Sequence, residues 1–154
     1  MHDDVLLDDS SRRFLRLGIL LFLFGLITGF LIPATANPRM ALSSHMEGVL
    51  NGIVLVLLGL IWRRLSLGLT TRRWVFWLAV YGTFTNWATT LAAAFLGAGG
   101  PMMPLAAAGH NGSPAEEGLI AVGLVSLSVS MVAVSGIVLW GLRTVKPVSE
   151  QTGS

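Results

Sequence analysis

Four apolar runs, each close to the ~20 residues a helix needs to cross a bilayer, dominate the chain. They are Phe14–Ile32, Ser43–Trp62, Trp74–Leu96 and Gly118–Leu142. Inside lipid, backbone polar groups have no water to bond, so spans of this kind are helical. The expected fold is therefore all-α: a polytopic membrane protein, a four-transmembrane-helix bundle forming a single membrane domain over residues 1–154. Composition agrees, since only 12% of the residues are charged, against roughly 25% in soluble domains.

The basic residues orient the runs. Arg12, Arg13, Arg16, Arg63, Arg64, Arg72, Arg73, Arg143 and Lys146 fall on one side, and Arg39 stands on the other. This bias places both termini in the cytoplasm and the Pro33–Leu42 and Gly97–Glu117 loops outside, in a bacterial inner (cytoplasmic) membrane. The first run also reads as a signal peptide ending at "ATA". Its length favours a retained span, as does a charge pattern that needs an even number of spans. Because the basic residues hug the apolar runs, they are topology signals and not a nucleic-acid footprint.

The chain has no cysteine, which removes disulfides, thiolate metal sites, iron–sulfur clusters and cysteine nucleophiles. It also lacks G-x-S-x-G, H-E-x-x-H, a phosphate loop and a dinucleotide fingerprint. What it has is "ALSSHMEGVLNG", which sets His45, Glu47 and Asn51 in a membrane segment, where polar side chains are costly and usually functional. Gly48 and Gly52 follow His45 by three and seven residues, within about 60° of it around a helix. Two readings stand: a face bared for a flat macrocycle held by the histidine, or close helix packing. Gly25 and Gly29, another G-x-x-x-G, favour packing. Asn51 lies about 120° from His45 and shares a stripe with Glu47. Two polar faces thus diverge from one helix end, which suits a site between helices or between protomers.

The third run carries Thr83, Asn86 and Thr90 on one stripe. Threonines in membrane helices commonly bond back to their own helix, whereas the asparagine amide needs a partner elsewhere. In the outer loop "SPAEE" reads as a helix start, with Ser113 as cap and Pro114 at the first position. The helix dipole accounts for Glu116 and Glu117 there without a metal shared with His110.

The strings "ANPRMALSSHMEGVLNGIVLVLLGLIW", "YGTFTNWATTL" and "GAGGPMMPLAAAGHNG" resemble the hydroxylaminobenzene mutase family, over about Leu15 to Arg143. That family isomerises hydroxylaminobenzene to 2-aminophenol in nitroaromatic degradation. A more distant resemblance is to styrene oxide isomerase, a four-span haem b protein that forms a homotrimer with haem between protomers. The resemblance implies His45 as the axial haem ligand and metal-binding residue. It implies Gly48 and Gly52 beside the cofactor, and Asn51 and Asn86 at the polar end of a small aromatic hydroxylamine. Two positions depart from the isomerase pattern. An aspartate becomes Gly82 or Thr83, and a substrate-binding tyrosine becomes Thr90, which is expected to line a roomier pocket. Haem iron would then act as a Lewis acid in an intramolecular hydroxyl shift. Epoxide isomerisation and a non-enzymatic haem-binding subunit are the alternatives.

Overall fold

The computed structural model describes residues 2–143, with side chains from residue 9 onward, so Lys146 lies outside the described residues. Four long helices carry the chain: α1 (His2–Leu31), α2 (Pro38–Ile61), α3 (Leu69–Leu96) and, after the single-turn α4 (Pro104–Ala107), α5 (Pro114–Leu142). Among the described residues there are no strands.

The helix ends follow local chemistry. Pro33 sits in a 3-10 turn that closes α1, and Pro38 opens α2 where its missing N–H costs nothing. The Asn37 side chain caps α2 by accepting from the Met40 N–H at 3.0 Å. Its amide also donates to the carbonyls of Ala106 and Ala107, tying the loop between α3 and α5 to the start of α2. α3 stops at Gly97, in the left-handed conformation that glycine adopts without strain. Ser113 and Glu116 form the capping box of α5 expected from "SPAEE".

Arg72 does more than mark topology. Its guanidinium donates to the carbonyls of Trp62 (2.6 Å), Leu67 (3.0 Å) and Leu65, and lies 5.5 Å from the centre of the Trp62 ring. One buried side chain thus closes the whole α2–α3 connection.

Among the described residues three helices are long and apolar enough to cross a membrane: Asp9–Ala34, Pro38–Arg64 and Pro114–Leu142. α3 is long enough, but Asn86 and its threonines make its middle more polar. The bundle expected from the sequence does not close. α1 packs on α2, α2 on α3 and α3 on α5, so the long helices form a row in chain order, with α1 also touching α3 through Phe14 on Phe76 and Phe24 on Trp87. The deepest core joins Phe14, Leu55, Trp62, Val75 and Ala79 at one end, and a second cluster joins Met40, Ala41, Ala93 and Ala94 at the other.

Lipid offers no hydrophobic drive for helix contact, so backbones must approach closely. The α1–α2 contact achieves this through glycine. A methyl group added to Gly48 would lie 2.5 Å from the Gly25 Cα, and one on Gly52 would lie 2.6 Å from the Phe22 nitrogen. Gly18 meets the Gly52 carbonyl in the same way.

Candidate active site

The polar cluster at the centre of the row is built on Glu47. One of its carboxylate oxygens, Oε2, accepts from the Asn51 amide at 3.1 Å and from the Asn86 amide at 2.5 Å. Glu47 and Asn51 stand one turn apart on α2, and Asn86 reaches across from α3. The structure therefore brings the two sequence-predicted asparagines together, through a residue whose role the sequence left undetermined. Glu47 does not orient His45: it bonds to neither ring nitrogen.

His45 belongs to a different face. It stands two residues before Glu47, about 200° around the helix. Its Nδ1 lies 2.8 Å from the Gly25 carbonyl on α1. A carbonyl only accepts, so in the neutral ring Nδ1 carries the proton and Nε2 keeps a lone pair. Histidines that ligate metals are commonly held by such a bond at the other nitrogen. Nε2 of His45 is thus the atom that would hold a haem iron, and a haem needs only one such side chain from the protein.

Gly48 and Gly52 do not frame such a group. The face they bare is filled by the α1 backbone at Gly25, Gly18 and Phe22, and by the edge of Trp87. Between the two readings of these glycines, helix packing is the one the contacts support. Gly29 faces His45 instead: a methyl group there would lie 3.1 Å from Nδ1.

Thr90 does not widen a pocket beside Asn86. It is 2% exposed, and its hydroxyl donates to the carbonyls of Asn86 and Trp87 on its own helix. The next turn, Ala93 and Ala94, packs on Met40 and Ala41, so Thr90 sits inside the α2–α3 contact. Thr83 back-bonds in the same manner. Trp87 stacks on Phe24 at 5.1 Å and donates to the Thr28 hydroxyl, which locks its ring against α1.

The loop between α3 and α5 explains its own polar groups. Glu117 accepts from the backbone of Gly99 and Gly112, Glu116 from that of Ser113, and the His110 ring bonds to the Ala107 carbonyl. Among the described residues no three His, Cys, Asp or Glu side chains gather as a metal site. A cavity of about 770 Å³ opens at the far end of α1 and α3, lined by Arg13, Trp62, Arg73 and Trp77, away from Glu47 and the asparagines.

Comparison with known proteins fixes the lineage. Residues 10–143 match the styrene oxide isomerase family. The chain belongs to the styrene oxide isomerase family. It is 61% identical over 134 residues to hydroxylaminobenzene mutase HabB of Ectopseudomonas oleovorans, covering 87% of this chain and 82% of that one. It is 41% identical over 125 residues to hydroxylaminobenzene mutase HabA of the same organism, covering 81% and 93%. No solved structure matches it. The chain is thus an enzyme of the isomerase kind, and the likeness to hydroxylaminobenzene mutases read from "NPRM", "SSH" and "LNG" is borne out.

Proposed function

We propose that the chain converts hydroxylaminobenzene to 2-aminophenol in the inner membrane, using haem b held by His45. The observation that carries this reading is the 61% identity to a hydroxylaminobenzene mutase over most of both chains. The conversion breaks the N–O bond and forms a C–O bond at the ortho carbon. The ortho carbon loses a proton and the nitrogen gains one, so atoms and electrons balance with no redox partner. Haem, when bound, supplies a Lewis acid toward the departing oxygen. Asn51 and Asn86 bind the polar end of the substrate and hold it in one orientation.

In this reading α3 crosses the membrane between α2 and α5, both termini are cytoplasmic, and the protein is a homotrimer. His45 and the Glu47 cluster face apart on one chain, so a site that uses both is completed between neighbouring copies. The nine-to-one distribution of Arg and Lys supports the orientation.

Detergent-purified protein supplied with hydroxylaminobenzene should yield 2-aminophenol, followed by chromatography. In 18O-labelled water the product hydroxyl should stay unlabelled, since the shift is intramolecular. Turnover of styrene oxide with none of hydroxylaminobenzene would replace this reading by epoxide isomerisation, which the family match favours as the second choice.

A further inference from the structure

We infer that Glu47 is a positioning residue that sets the hydrogen-bonding polarity of Asn51 and Asn86, making the pair a reader of ligands that carry N–H or O–H donors. The inference rests on the proposed site, in which these two amides meet the substrate. A primary amide has an oxygen arm that accepts and a nitrogen arm that donates, and it can turn either way. Here neither is free to choose. Both nitrogens are drawn to the single oxygen Oε2 of Glu47, at 3.1 and 2.5 Å. Turning either amide over would set oxygen against oxygen and leave a part-buried acceptor unmet.

The arm each amide turns away from Glu47 is therefore its carbonyl oxygen. Neither Oδ1 has a protein partner among the described residues, and neither is sealed from its surroundings. Each amide keeps one further N–H, but on the nitrogen already committed to the carboxylate. The pair thus offers two acceptors from fixed positions. An arylhydroxylamine brings two donors, N–H and O–H, to meet them. An epoxide brings none. Sites built to bond a substrate N–H or O–H discriminate strongly against analogues that lack it, because their own polar groups are then left unpaired.

The test uses benzyl alcohol and benzaldehyde, which share ring and heavy atoms but differ in the O–H donor. Binding of each to the detergent-purified full chain is measured by calorimetry, independently of turnover. Wild type should prefer the alcohol by about fivefold, the scale of one net hydrogen bond. Glu47→Gln keeps an accepting oxygen for the two amides and should keep most of that preference. Glu47→Leu frees both amides and should bring the ratio close to one, as should Asn86→Leu. An unchanged ratio in Glu47→Leu, or a wild type that favours benzaldehyde or binds neither probe, overturns the inference. If Glu47→Leu fails to fold, the wild-type ratio and its retention in Glu47→Gln still decide. A donor preference in a chain that does not turn over hydroxylaminobenzene would sink the proposed reaction and leave this inference standing. Turnover without the preference would do the reverse.

Discussion

Gly48→Ala separates the two meanings a glycine beside a histidine can have. The added methyl would stand 2.5 Å from the Gly25 Cα, 2.9 Å from its nitrogen and 2.9 Å from Trp87 Cδ1. Ordinary carbon contacts lie near 3.5–4.0 Å, so α1 would have to retreat by about 1 Å. The obstacle is backbone, which cannot rotate aside, and Trp87 is held by Phe24 and Thr28. Overpacking of this kind costs typically 1–3 kcal/mol, and the rigid neighbours place this one in the upper half. For a chain of this size that corresponds to a fall of roughly 4–12 °C in Tm. Thermal unfolding of haem-free protein in detergent, followed by circular dichroism, reads it directly. Gly136→Ala is the control: nothing lies within 4 Å of that position, and alanine favours a helix over glycine by up to about 1 kcal/mol. Unchanged stability of Gly48→Ala together with weaker haem binding would refute the packing argument and restore the macrocycle cradle.

Two further outcomes are expected. His45→Ala should lose the Soret band and the activity together, whereas His110→Ala, whose ring bonds to the Ala107 carbonyl of its own loop, should keep both. Absorption spectra and product assays on the two variants decide it. A cysteine at Leu105, which is 81% exposed in the loop between α3 and α5, should react with an impermeant maleimide in intact cells, and one at Ser66 should not. The chain's own lack of cysteine keeps the background clean, and the reverse labelling would invert the topology.

What the sequence made legible was local. Pro38, Pro114, Ser113 and Gly97 punctuate helices through their own backbones, so their roles can be read without a fold. The Glu47–Asn51 bond, one turn long, could also be foreseen. The Asn86 bond to Glu47 joins residues 39 apart and depends on the register of α2 against α3, which no periodicity encodes. The glycine stripe shows the same limit. Spacing gave the phase of Gly48 and Gly52 but not what fills the space beside them, and α1 fills it. Thr90 shared a stripe with Asn86, yet depth separates them: Thr90 is buried in the helix contact, while Asn86 stays half-exposed at its edge. Arg72 looked like one arginine of a topology cluster, and only the fold of the "LSLGL" turn shows the carbonyls it gathers.

The divergence of His45 from Glu47 carries the strongest consequence. Two residues of one helix are held by different neighbours, the histidine by a carbonyl of α1 and the glutamate by an amide of α3. Neither can turn to the other's side without breaking its bond, so one chain cannot aim both at one substrate. If the proposed site needs both, each site draws its histidine from one copy and its asparagines from the next. His45→Ala and Asn86→Ala chains are then each inactive alone, yet complement each other when co-assembled. In a ring of randomly mixed copies, a contact is intact when the histidine comes from the Asn86→Ala chain and the asparagine from the His45→Ala chain. With equal amounts of the two, that occurs at roughly a quarter of the contacts. Co-expression with two different affinity tags, followed by sequential purification, selects the mixed assemblies for assay. Recovery of a substantial share of wild-type turnover is expected. Mixed assemblies that form but stay inactive would place the histidine and the asparagines of each site on the same chain and refute completion between copies.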